Sequence, residues 1–146
     1  MKNSKTLLVL VATMLLFSWN ISAQNEEVKE TKSGNKVEVI DFHSTHRCMT
    51  CNAIEANTKF TLEEYFAEEL KSGKITFQSI NIDEKENYAL AEKFQASGTS
   101  LYLNVIDGEN EAIINLTNLA FKKGKDKEAF SKELKRKIEK QLTVIE

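Results

Sequence analysis

The 146-residue chain holds two cysteines, Cys48 and Cys51, separated only by Met49 and Thr50. A pair at this spacing has three chemistries open to it: reversible dithiol–disulfide exchange, capture of a soft metal ion, or an inert structural disulfide. With no further cysteine, a framework of several bridges is excluded. Exchange needs a thiolate to attack and a second thiol to release the mixed disulfide, and cysteines one helical turn apart supply both. Their location favours that use, because an apolar strand pattern ends just before them and a helical pattern begins at about Met49. In the first turn of a helix, unpaired N–H groups and the positive end of the dipole favour thiolate over thiol, here at Cys48. Arg47, immediately before it, can add a full positive charge.

The metal alternative draws on the only two histidines, His43 and His46, both within five residues of Cys48. Two thiolates and two imidazoles suffice for tetrahedral zinc, and the thiolates would also suit Cu(I). Met49-Thr50-Cys51 superficially resembles the M-x-C-x-x-C of copper chaperones, but position 54 is Ile and the match fails. A loop histidine can equally be solvated, tune the thiolate, or in the case of His46 assist proton transfer near neutral pH. Exchange therefore needs no cofactor, whereas the alternative requires zinc or copper.

The elements that must position these residues follow from hydrophobic periodicity. Val37 to Phe42 is short, apolar and β-branched and reads as a buried strand, with His43 to Arg47 the loop that leaves it. Met49 to Lys71 repeats Ile54, Thr58, Leu62, Tyr65, Phe66 and Leu70 at helical steps, and Ser72-Gly73 stops it. Ile75 to Ile82 reads as an interior strand, Asn81 to Asn87 as a turn and Tyr88 to Phe94 as a short helix. Leu101 to Ile106 and Ala112 to Leu116 are strands about the hairpin signal Asp107-Gly108-Glu109-Asn110. A last helix from about Lys125 to Leu142 lays down Phe130, Leu134, Ile138 and Leu142 as one stripe. Leu119, Ala120 and Phe121, ahead of that helix, read as cover for the core. The order predicts an α/β fold in which a small mixed central sheet carries helices on both faces, with parallel first strands and an antiparallel hairpin at the edge.

Composition narrows the classes further. At 41% hydrophobic and 29% charged the chain is ordinarily globular, neither disordered nor polytopic in a membrane. The absence of proline excludes proline-rich linkers and polyproline ligands. Lys2 and Lys5, the apolar run Leu7 to Phe17 and then Ile21-Ser22-Ala23 form a secretory signal pattern, residues 1–23. That run spans about 16 Å as a helix, against about 30 Å of bilayer hydrocarbon, so a permanent span is disfavoured. The expected product is exported, periplasmic or extracellular, and meets a membrane only if the signal stays uncleaved. Residues 24–36 form a polar tether, and 37–146 the domain. Loss of the leader removes two lysines and the single tryptophan, Trp19, and makes a formal charge of −2 more negative, which disfavours nucleic acid. The basic stretch Lys122 to Lys140 could touch an anionic membrane or acidic partner, though an outer helix with a solvated face explains it as well.

Residues Val37 to about Leu142 resemble a thioredoxin-fold domain in Val39-Ile40-Asp41-Phe42, Cys48-Met49-Thr50-Cys51, Ile75-Thr76-Phe77 with Asn81-Ile82-Asp83, and Phe94 to Thr99. More narrowly, His43 to Cys48, Cys51 to Glu55 and Ile114 to Asn118 are similar to exported thioredoxin-like proteins known as the nitrophenyl compound nitroreductase subunit family. No flavin or nicotinamide motif accompanies that likeness, so nitroreduction is not assigned to this polypeptide alone. The resemblance implies that Cys48 is the exposed nucleophile and Cys51 the buried resolving thiol. It places Asp41 near a buried acid that moves a proton to and from the resolving cysteine, although the loop from Asp41 to Cys48 is one residue longer than usual. It also implies a substrate-facing segment at Thr99-Ser100, where thioredoxins carry a cis-proline. Ser100 stands there instead, and a cis bond before a non-proline costs about 2.5 to 4 kcal/mol, so a trans peptide is expected. In the family that proline is associated with keeping metals off the cysteines, so its loss strengthens the metal alternative. The partners implied are thiols or disulfides of exported proteins and a redox partner that recharges the pair. A noncatalytic subunit that uses the fold to hold a partner is a third reading.

Overall fold

A computed structural model describes residues 34–145, so the expected signal and most of the expected tether lie outside the described residues. The first strand, β1 (Lys36–His43), alternates Val37, Val39 and Asp41 on one face with Ile40 and Phe42 on the other. All five are buried, which makes β1 a central strand. β2 (Ile75–Asn81) pairs with it in parallel, from Val37 opposite Ile75 to His43 opposite Asn81. β3 (Ser100–Asp107) pairs antiparallel on its other side, and β4 (Asn110–Asn115) antiparallel to β3, in the order β2-β1-β3-β4. Gly108 turns the hairpin at φ +61, the positive φ that a two-residue turn with glycine first requires.

Among the described residues five α-helices accompany this mixed sheet: α1 (Met49–Tyr65), α2 (Ala67–Ser72), α3 (Tyr88–Phe94), α4 (Thr117–Lys123) and α5 (Lys127–Leu142). One core packs Val37, Val39, Leu101, Leu103 and Val105 against Ile54 and Leu62 of α1, Ala120 of α4 and the expected stripe of α5. The second packs Ile40, Phe42 and Tyr102 against Ala91 and Phe94 of α3. The two clusters use alternate residues of the same strands, so helices cover both faces of the sheet.

Four expectations change. The helix expected over Met49 to Lys71 breaks at Phe66, whose backbone leaves the helical region (φ −137, ψ 30) while its ring enters the first core. β2 is an edge strand, not an interior one, with Gln78 and Ser79 exposed; its apolar ends answer to a single covered face. The chain between β4 and α5 folds as α4, too short to show a helical period. Within α4, Ala120 is buried and Leu119 packs on the core, but Phe121, expected as cover, is 46% exposed. Finally, the tether's last residues belong to the fold. Asn35 donates its amide to the Ile145 carbonyl at 2.9 Å and accepts the Gly108 N–H at 2.9 Å, and Lys36 opens β1. Among the described residues no helix is long and apolar enough to cross a membrane.

Gly124 joins α4 to α5 because nothing larger fits. A Cβ there would lie 2.6 Å from the Ala120 carbonyl oxygen and 2.8 Å from Ile54 Cγ1. Gly124→Ala should therefore cost about 1–3 kcal/mol, the usual penalty of overpacking, despite the ordinary helical preference for alanine. An unchanged midpoint in urea would show that the α4–α5 corner yields freely.

Candidate functional site

β1 delivers the chain to His43 at one end of the sheet, and a loop of five residues, Ser44 to Cys48, returns it into α1. The turn after β2 pins that loop. Ile82 donates its N–H to the His43 carbonyl at 2.8 Å, and Asp83 Oδ2 accepts the Thr45 N–H at 2.7 Å. Asn81 Nδ2 donates to Thr45 Oγ1 at 3.1 Å. The bond from the Thr45 amide holds Asp83 below the ordinary carboxylate range. Sequence reasoning missed this clasp; its one signal is a cluster of Asn and Asp where a turn was expected.

Cys48 is the N-cap of α1, extended at φ −77, ψ 165, and its Sγ accepts the Cys51 N–H at 3.2 Å. No acid occupies the first turn of α1 to neutralise the helix's positive end. Both features favour negative charge on that sulfur. The cysteines are joined as a disulfide with Cα atoms 5.1 Å apart. Cys48 is exposed whereas Cys51 is 8% exposed, because α1 turns its second cysteine toward the sheet and its first toward solvent. Met49, between them, is 83% exposed.

Asp41 lies fully buried on the α1 face of β1, the face it shares with Val37 and Val39. Burial pushes its acid up to about 7, against the opposing pull of Arg47. Arg47, the residue before Cys48, turns its guanidinium inward, donating to Asp41 Oδ2 at 3.1 Å and to Glu55. Two carboxylates, one of them fully buried, converge on that cation. Lys59 completes the row, 2.6 Å from Glu55. Burial pushes Glu55 up, but hydrogen bonds from Lys59 and Arg47 outweigh it and hold the acid below its ordinary value. Asp41 Oδ1 and Arg47 Nε are buried with no hydrogen-bond partner. Glu55 and Lys59 were not anticipated, although both follow Cys51 at helical spacing.

The remaining candidates are less closely gathered. His43 is half-buried and its Nδ1–H donates to the Ser44 carbonyl at 3.0 Å, while His46 is exposed. Among the described residues no group of three or more His, Cys, Asp or Glu is gathered to hold a metal ion, so His43, His46, Cys48 and Cys51 form no such set in the oxidised form. Ser100 begins β3 opposite Phe42, at the same sheet end as the cysteine loop. The Thr99–Ser100 peptide is trans, and the buried Ser100 hydroxyl donates to the Gly98 carbonyl at 3.1 Å.

No family model matches the chain, and no curated protein matches it. A solved structure described as "Structure of a malarial protein" is 19% identical and superposes with a TM-score of 0.39, covering 61% of this chain and 96% of that one. A likeness this loose carries no argument about fold or function, and the site stands on its own geometry.

Proposed function

We propose that the chain is an exported thiol–disulfide oxidoreductase of the thioredoxin fold, akin to the nitroreductase-subunit-like family named above. The observation that carries this reading is the asymmetry of the pair. Cys48 is exposed at a helix N-cap with an N–H on its sulfur, and Cys51 is buried one turn later. The mixed sheet, with α1 leaving β1 at the cysteines, supports the fold assignment. Export rests on the leader pattern of residues 1–23.

In the reducing direction the Cys48 thiolate attacks one sulfur of a substrate disulfide, forming a mixed disulfide and expelling the other sulfur as thiolate. Cys51 then loses its proton and attacks the Cys48 sulfur, expelling the second substrate thiolate and closing the Cys48–Cys51 disulfide. Two electrons pass to the substrate, and a partner dithiol restores the pair by the reverse steps. Asp41, with one oxygen unpartnered and an acid near 7, is suited to take the Cys51 proton and return it. Thr99 and Ser100 form the wall beside which an extended substrate segment would lie. No cofactor is needed. Substrates would be thiols or disulfides of other exported proteins.

Redox titration of the full chain, purified without chelator and scored by thiol-alkylation mass, tests the reading. The expected result is a reversible two-electron transition between about −120 and −270 mV, the span of known pairs at this spacing. Cysteines that stay blocked and carry a metal mass under native conditions would overturn it in favour of zinc or copper. Cysteines that never cycle would leave the fold as a holder for a partner.

A further inference from the structure

The basic stretch Lys122 to Lys140 takes no part in the cysteine chemistry, yet one side of α5 does more than face solvent. Its stripe Phe130, Leu134, Ile138 and Leu142 enters the core. Beside that stripe, at steps of four, Lys127, Ser131 and Lys135 line a groove whose other wall is the second half of α1, at Phe60 and Tyr65. The buried hydroxyls of Thr61 and Ser131, 2.9 Å apart, join the two helices beneath it. Neither ring is fully covered: Phe60 is half-buried and Tyr65 is 44% exposed. The groove encloses about 670 Å³, within the range of about 300–1,000 Å³ common for small-molecule sites. Phe60 lies about 16 Å along α1 from Met49, at about 1.5 Å per residue, so the groove is separate from the cysteine pair.

Its charges are unevenly matched. Arg136 pairs with Glu133 at 2.8 Å and Lys135 with Glu139 at 3.7 Å. Lys127 and Lys132 have no ion-pair partner among the described residues. Glu128, the remaining acid of the rim, sits in the first turn of α5, where the positive end of the helix suits it. Lys127 Nζ stands 3.2 Å from the centre of the Phe60 ring, and Lys135 Nζ 4.7 Å from that of Tyr65. A ring face attracts an ammonium but carries no net charge, so these cations stay open to an anion. We propose that the groove between α1 and α5 binds a small organic anion with a flat aromatic body, which lies along Phe60 and Tyr65 while its carboxylate or sulfonate is drawn by Lys127 and Lys132. Two aromatic side chains favour a flat ring through offset and edge contacts, and the unpaired ammoniums select an acid over a neutral molecule of the same shape.

The test is a titration of the isotopically labelled full chain with naphthoate, read by amide chemical shifts. Saturable shifts should concentrate at residues 60–65 and 127–136. Naphthylmethanol, the neutral analogue, should bind about tenfold more weakly, and Lys127→Gln combined with Lys132→Gln should weaken naphthoate about tenfold. Rising salt should weaken naphthoate and spare naphthylmethanol. Tyr65→Ser, at a ring already half in solvent, should cost about fivefold in affinity with an unchanged unfolding midpoint. A chain with Cys48→Ser and Cys51→Ser should bind naphthoate as wild type does, so this inference and the exchange reading fail separately. Shifts that do not saturate, shifts centred elsewhere in the chain, or equal affinity for the acid and the alcohol would overturn the inference. Binding lost with the cysteines would also overturn it, since the anion would then belong to their site.

Discussion

Cys51→Ser should accumulate as a mixed disulfide with its substrate, and Cys48→Ser should form none. Both variants should lose turnover to the level of the uncatalysed dithiol reaction, a fall on the order of a thousandfold or more. The two losses differ in kind because the two sulfurs differ in access. Cys48 meets solvent at the end of α1, so it alone can be struck by, or strike, a partner's disulfide. Cys51, shielded to 8% exposure, can reach only the sulfur of Cys48. Removing the inner thiol therefore leaves the attack intact and blocks the release. Incubation of each variant with a protein disulfide, followed by non-reducing mass spectrometry, reads the adduct directly. An adduct on Cys51 in the Cys48→Ser chain, or full biological activity with both cysteines replaced, would sink the assignment of roles.

Asp41→Asn should stabilise the fold above neutrality by about 1 to 4 kcal/mol, although it deletes one arm of an ion pair. The sign follows from the raised acid. A carboxyl that titrates near 3.8 in the unfolded chain and about 7 in the native one is bound to its proton more tightly when folded. Its contribution to stability is fully present below about pH 4 and is lost as pH rises through about 7, where the buried carboxylate must exist charged. The complete loss is about 4 kcal/mol for a separation of this size. Asparagine never charges, so its curve lacks that descent. Loss of the Arg47 bond to Asp41 offsets part of the gain, but Glu55 keeps the guanidinium paired. Glu55 itself, held low, contributes with the opposite sign at acid pH, so the quantity to compare is the difference between the two proteins. Urea unfolding followed by circular dichroism at several values from pH 4 to 9, with the disulfide intact, supplies it. A variant less stable than wild type at pH 8 would show that Arg47 holds Asp41 ionised after all.

Several features of the fold and the site needed nothing beyond the linear sequence. The cysteine spacing, the change from strand to helical period just before Met49, and the glycine of the hairpin each rest on contacts between near neighbours in the chain. Such local rules survive folding unaltered. The mixed sheet followed too, since a helix joining adjacent strands forces them parallel and a two-residue turn forces them antiparallel. The misreadings have a different character. The spacing of Phe66 fits a continuing helix, and only the position of the core makes leaving the helix worthwhile. The apolar Ile75 and Ile80 suit an interior strand, and nothing local reveals that β2 stands at the edge of the sheet among the described residues. Seven residues of α4 carry too few apolar positions for a period to show.

For function the division is sharper. Residue types and spacing along the chain determined which groups could react: two thiols one turn apart, a helix end to favour charge on the first, an acid and an arginine close by, and a serine where a proline was expected. They could not say where the arginine's charge goes. That was decided by tertiary structure, because a guanidinium on a flexible stem settles where carboxylates from two elements converge. Asp41 comes from a strand and Glu55 from a helix, fourteen residues apart in sequence. Only the packing of α1 over β1 buries the first and brings the second to the same cation. Desolvation and charge pairing act through space, so the acid near 7 and the inward arginine belong to the folded molecule, while the cysteine pair itself was written in the chain.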